Sequence, residues 1–211
     1  MILNADQRDA VAELVNIAFS RTAAALSDLT GNRVELSVPD VATYAISDLE
    51  PALHKFVHGD VATVHQIFGG PVSGDAFLVL DIDGATKLVG LLTDADAPTR
   101  QMGASDREVL AEVGNILLNA CLGVFGDLLH VRLTFAVPRL EVESLSSMIA
   151  SLLVERQEVR HALLVGTRFV IRASDVTGCL VLVLGVTSLE KFIAAVETWA
   201  ERSVTGTGDG R

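Results

Sequence analysis

Cysteine, aromatic side chains and positive charge are all scarce in this chain. There are two cysteines, Cys121 and Cys179, among 211 residues. Each falls inside an apolar segment, and the pair is spaced for neither a zinc cluster nor a thioredoxin-like motif, so both read as buried free thiols. Lys and Arg number 16 against 27 Asp and Glu, a formal charge of −11. No basic stripe exists to displace counterions from phosphates, which excludes sequence-independent nucleic-acid binding; a partner with a basic patch is expected instead. Long apolar runs are missing too: the longest lies within Cys179–Val186, far short of the roughly 18 residues a membrane span needs. Met1–Asp6 puts no basic flank before an apolar run and does not read as a signal peptide. The expectation is a cytoplasmic protein without membrane insertion. Half the residues are apolar and a fifth charged, the balance of a folded chain large enough for a sizeable core.

What the chain does contain is a duplication. Asp9-Ala-Val-Ala-Glu13-Leu-Val-Asn16 corresponds to Glu108-Val-Leu-Ala-Glu112-Val-Gly-Asn115 at an offset of 99, and the same offset carries Pro39 onto Pro138. Val72-Ser-Gly74 and the run up to Leu80 then match Val176-Thr-Gly178 and the run up to Leu184 at an offset of 104, as do Lys87 and Lys191. The change of offset places a five-residue insertion after Pro138. Two repeats of about 100 residues result, about 5–98 and 104–202, in a single domain over 1–202, with 203–211 expected as a disordered tail rich in Gly and Thr.

Each repeat reads alike. A long helix, about Ala5–Leu29 and Ser105–Leu129, precedes a strand that ends near the proline. Ser105 and Asp106 suit the start of the second helix, where orphan N–H groups and the dipole favour such residues. A β-hairpin follows, Phe56–Phe68 with Ala76–Asp81 and then Ala162–Ala173 with Cys179–Val186, and a helix closes each repeat at Gly84–Thr93 and Ser188–Arg202. Segments 41–53 and 144–155 suggest short helices. Short hairpins imply antiparallel pairing. The predicted fold is therefore α+β with pseudo-twofold symmetry: an antiparallel sheet of about six strands flanked by helices.

On a helical wheel, Val15, Ala18, Thr22, Ala25 and Leu29 fall within about 40° of Val11 and predict a buried stripe. Asp9, Glu13, Asn16 and Ser20 occupy the opposite side. In the second helix Leu110, Gly114, Leu117, Cys121, Val124 and Leu128 form the stripe, and Glu108, Glu112, Asn115 and Asn119 line the far face. A carboxylate and an amide at i and i+3 are neighbours on one surface. Exposed Glu and Asn commonly serve solubility alone, but Asn is an unfavourable mid-helix residue. Here it recurs at the same wheel angle with the same Glu beside it and a proline 23 residues later.

Other patterns carry less. His54, His58 and His65 fall on a segment that reads as strand after His54, where i and i+4 lie about 13 Å apart, too far for one metal ion. Gly69–Gly74 lacks the Gly-Lys-Ser/Thr end of a phosphate-binding loop, and Asp81-Ile-Asp83-Gly84 lacks a later glutamate for calcium and reads as a turn and helix cap. No metal site is expected.

The spacing Asp or Ser, three residues, Glu, two residues, Asn, twenty-two residues, Pro is similar to the signature of the CheC/CheX/FliY chemotaxis phosphatases. Asp9, Glu13, Asn16 and Pro39 fit it in full; Glu112, Asn115 and Pro138 fit it in the second repeat, with Glu108 where Asp or Ser is usual. Two motifs with no switch domain after them resemble the CheC type within that family, over roughly residues 5–202. The resemblance implies hydrolysis of the aspartyl phosphate of a CheY-like response regulator. It implies that Asn16 and Asn115 orient the attacking water, that Glu13 and Glu112 pair with a regulator lysine, and that Asp9, Glu108, Pro39 and Pro138 border the sites. Mg²⁺ would belong to the partner receiver domain, and this chain would need no cofactor of its own. A monomer is expected, with the glutamine deamidase CheD as a further partner. The alternative is a non-catalytic adaptor that binds a receiver, CheD or a flagellar switch component.

Overall fold

The computed structural model describes residues 3–31, 33–37, 40–93, 102–154, 160–171 and 174–206. Helix α1 (Ala5–Thr30) opens the chain. Its start is set by Asn4, which caps the Gln7 N–H through Oδ1 at 2.8 Å while the Gln7 side chain accepts from the Asn4 N–H at 2.9 Å, so two orphan donors are satisfied reciprocally. Gly31, in the left-handed conformation, ends it. Strands β1 (Val34–Leu36) and β2 (Asp40–Ala45) come next, then a 3-10 turn at Ile46–Asp48, helix α2 (Leu49–Leu53), the hairpin β3 (Asp60–Gly69) and β4 (Gly74–Asp81), and helix α3 (Ile82–Thr93). The second half repeats the order with α4 (Ala104–Leu129), β5 (Thr134–Phe135), β6 (Arg139–Ser144), α5 (Leu145–Val154), β7 (Arg160–Ile171), β8 (Ser174–Gly185) and α6 (Val186–Gly206). At α4 the Asp106 carboxylate accepts from the Gly103 N–H at 2.8 Å, so the cap lies two residues before Ser105. Helix α6 runs four residues beyond its expected end at Arg202; residues 207–211 of the expected tail lie outside the described residues.

All eight strands join one antiparallel sheet, ordered β1-β7-β8-β4-β3-β5, with β2 continuing the β1 edge along β7 and β6 continuing the β5 edge along β3. Eight segments thus fill six lanes. The edges cross over between the halves: β1 and β2 of the first half pair with β7 of the second, and β5 and β6 pair with β3 of the first. The two hairpins meet at the centre through β4 and β8.

Both faces are covered. Leu180, Leu182 and Leu184 of β8 face a core shared with α1, α3, α4 and α6, while Cys179, Val181 and Val183 face a second core under α2 and α5. Central strands buried on both faces explain the continuous apolar runs. α1 and α4 pack against each other over the first core. The buried side of α1 is broader than the predicted stripe: Leu14, Phe19 and Leu26 join Val11, Val15, Ala18 and Thr22, whereas Ala25 is exposed. A helix resting on both a sheet and another helix buries more than a narrow seam.

α4 alone among the described residues is long and apolar enough to cross a membrane by length and composition, although no apolar run suggests it; 56% of the apolar window is buried inside the protein, as in a core helix. Its approach to the sheet is unusually close. A Cβ on Gly114 would lie 2.5 Å from Val64 Cγ2, so only glycine lets α4 settle here on β3. The first repeat has Val15 at the corresponding place.

Candidate functional site

The two long helices place the expected residues where the wheel puts them. On α1, Asp9, Glu13 and Ser20 are exposed and Asn16 is half-buried; on α4, Glu108 and Glu112 are exposed and Asn115 and Asn119 half-buried. Glu13 and Glu112 engage no ion pair or hydrogen bond among the described residues, which leaves both carboxylates open to a partner's cation. Each Glu–Asn pair is separated by one helical turn and shares a surface.

The surroundings of the two asparagines differ. The Asn16 carboxamide makes no side-chain hydrogen bond among the described residues, and the neighbouring Ser20 hydroxyl turns back to donate to the Asn16 backbone carbonyl at 2.9 Å. Asn115 Oδ1 instead accepts from Asn119 Nδ2 at 2.6 Å. Asn119 Oδ1 in turn accepts from Gln66 Nε2 at 3.0 Å, and the same nitrogen donates to the Ala136 carbonyl at 3.0 Å. Gln66 is almost wholly buried on β3, between Val64 and Phe68 on the helix-facing side. Asn119 lies on the far face that its wheel angle predicts, without a role evident from the sequence, and Gln66 is not among the expected residues. The available signal was a polar residue at an inward position of an otherwise apolar alternation, together with a second Asn at i+4 from Asn115.

Pro138 lies between β5 and β6, next to Arg139 and two residues after Ala136, whose carbonyl accepts from Gln66. Pro39 lies outside the described residues.

The weaker patterns resolve as structure. Asp81 Oδ1 accepts from the Gly84 N–H at 2.6 Å and caps α3. His54 and His58 sit in the connection before β3 rather than on a strand, because Gly59 (φ 70°) turns the chain only just before Asp60. His65 is on β3, 3.1 Å from Asp75 Oδ1 and stacked on Phe77. Among the described residues no group of three His, Cys, Asp or Glu side chains could hold a metal ion. The thiols are inert by burial, which pushes Cys121 up to about 12, opposed in part by its hydrogen bond with Thr22, and raises Cys179 as well.

The fold and these surfaces define a duplicated α+β protein that carries a carboxylate–amide pair at the same place on each of its two long helices. Comparison with known proteins is consistent with that description. The model of the CheC-like family matches residues 7–42. The CheY-P phosphatase CheC of Bacillus subtilis is 25% identical over 169 residues, covering 77% of this chain and 79% of that protein. In three dimensions the chain is similar to FliY of Thermotoga maritima (TM-score 0.72, 18% identity, 94% of this chain and 100% of that one). It is also similar to the FliM middle domain of H. pylori (TM-score 0.65, 12% identity, 92% and 99%). The chain is thus similar in sequence to CheC-like proteins over its first long helix and to a CheC phosphatase over most of its length, and it shares the fold of the FliY and FliM structures.

Proposed function

We propose that this chain hydrolyses the aspartyl phosphate of a CheY-like receiver domain in chemotaxis signalling. The observation that carries the reading is the Glu–Asn pair held at the same place on α1 and on α4, open to a partner on both helices. Similarity to a CheY-P phosphatase supports it.

The chemistry asks little of this protein beyond positioning. Phosphoryl transfer passes through a loose transition state, so catalysis consists largely of holding water in line and stabilising spread charge. The amide of Asn16 or Asn115 would accept from the attacking water and donate to a phosphoryl oxygen. Water's oxygen forms the new bond to phosphorus as the bond to the aspartyl oxygen breaks, returning the receiver's carboxylate and releasing inorganic phosphate. Glu13 or Glu112 would grip a receiver lysine by a charge-assisted hydrogen bond and set the helix over the phosphorylated pocket. Mg²⁺ would be the receiver's own. A monomer suffices for this arrangement, and a CheD-type deamidase would be a further partner on another surface.

The test is inorganic phosphate release from a phosphorylated CheY-type receiver with Mg²⁺, comparing wild type, Asn16→Ala, Asn115→Ala and the double variant. Acceleration by wild type and none by the double variant is expected. Phospho-dependent binding without acceleration would replace this reading with that of a non-catalytic adaptor.

A further inference from the structure

We infer that Gln66 and Asn119 are positioning residues for Asn115, forming an amide relay whose direction is set by a backbone bulge at Pro138; the inference rests on the phosphatase reading above. The bulge follows from the strand registers. Phe135 lies opposite Phe68 and Arg139 opposite His65, so the outer strand advances four residues while β3 advances three. One residue is extra, and it falls in the 136–138 segment that ends in Pro138. Proline has no N–H to give to a ladder and is at home at such a break on an edge strand. The Ala136 N–H still bonds to the Ile67 carbonyl at 2.9 Å, but the Ala136 carbonyl receives the Gln66 side chain.

That carbonyl can only accept. Gln66 must therefore turn Nε2 toward it, and the second hydrogen of the same nitrogen meets Asn119. Asn119 must answer with Oδ1, which aims its own Nδ2 at Asn115 Oδ1. Reversing any one amide would set donor against donor or acceptor against acceptor. The chain thus fixes which end of Asn115 is which: Oδ1 is held on the Asn119 side, and Nδ2, without an acceptor among the described residues, is left to donate to a phosphoryl oxygen. One lone pair of Oδ1 remains for water. A side chain locked in one orientation before the partner arrives needs no reorganisation at the moment of reaction.

The first repeat has the same count of residues across its edge, and among the described residues it has no relay. Leu36 lies opposite Phe169 and Asp40 opposite Gly166, again four residues against three. Yet Ser20 stands where Asn119 does, and Thr167 holds the register position of Gln66. Among the described residues nothing bonds to the Asn16 carboxamide to orient it, which makes the two sites unequal.

The experiment uses the full chain carrying Asn16→Ala, so that only the second site acts, and follows phosphate release against the concentration of phosphorylated receiver. Adding Asn119→Ala places a better helix former on a half-exposed position, so folding is retained and the Tm does not fall. The expected result is a kcat lower by about tenfold or more, the scale of a misplaced catalytic group, with KM unchanged. Asn119→Asp still accepts from Gln66 but cannot donate to Asn115; it turns the Asn115 amide around and is expected to lower kcat at least as far. Gln66→Met, of similar size and without donors, is expected to lower kcat in the same sense. Unchanged kcat in the Asn119 variants beside an active parent would overturn the relay and leave the phosphatase reading intact. A wild type that releases no phosphate would instead remove the phosphatase reading, and the relay's catalytic role with it.

Discussion

Thr22 and Cys121, equivalent residues 99 positions apart in the two repeats, touch each other, Oγ1 to Sγ at 3.7 Å, in the buried seam between α1 and α4. Equivalent positions can meet only near the axis that relates the halves, so the pseudo-twofold axis passes here. The seam, the β4–β8 pairing and the crossed edge strands interleave the halves. Either half expressed alone would leave its edge strands without a partner and both outer sides of its hairpin unpaired, with buried apolar faces open to water. Residues 1–101 and 102–211 are each expected to be insoluble or unfolded by circular dichroism alone, and to regain native strand content on co-refolding. Cooperative unfolding of either half by itself would sink this prediction.

The inequality of the sites has a simple kinetic consequence. Asn115→Ala is expected to reduce the kcat for phosphate release of the two-site protein more than Asn16→Ala does, because only Asn115 is held in one orientation. Equal losses would show that the held amide confers no advantage.

Gly114 sets the height of α4 above β3. Alanine ordinarily strengthens a helix by close to 1 kcal/mol over glycine, but here its Cβ would meet the Val64 side chain at 2.5–2.7 Å. Overpacking of this kind costs about 1–3 kcal/mol, so Gly114→Ala is expected to lower the Tm by several degrees. Val64→Ala in the same chain should restore part of the loss. A Tm that rises on Gly114→Ala would refute the close approach.

Native thiol chemistry should be silent. With Cys121 pushed up to about 12 by burial and Cys179 raised as well, neither forms appreciable thiolate at neutral pH. A thiol-labelling reagent is expected to modify neither residue in the native protein and both in denaturant. Rapid native labelling would contradict the buried seam.

His161, near-fully buried on β7, has its basicity lowered from the ordinary value of 6.5, chiefly by burial and secondarily by the positive N-terminus. For a base held below its unfolded value the neutral form is favoured in the folded state. Its stabilising contribution is present above pH 6.5 and is lost as pH falls through the lowered folded value. The Tm of wild type should therefore decline below pH 6.5 more steeply than that of His161→Gln. Parallel curves would show that His161 does not drive the decline.

Much of this architecture was legible because it is periodic. Glu13 and Asn16 on one side of α1, and Val11, Val15 and Ala18 on the other, follow from 3.6 residues per turn. The hairpin β3–β4 follows from two β-branched, apolar runs around the glycines of Gly69–Gly74. Less legible was the second repeat's register. Val64 lies opposite Leu140 and Val165 opposite Val41, an offset of 101, so only two of the five inserted residues precede β7. Repeat matching scores residue type and cannot see that a shift of two leaves every side chain on its own face.

Residue order alone determined the duplication, the helices and strands and the outward Glu–Asn pairs, since each depends on neighbours within a turn or a hairpin. Tertiary structure decided the exchange of edge strands between halves, the axis through Thr22 and Cys121, and the contact of Gln66 with Asn119 across 53 positions of chain. Those depend on which distant backbones come to lie side by side, a choice made by burying both faces of one sheet at once and by the glycine at 114 that lets a helix rest upon it.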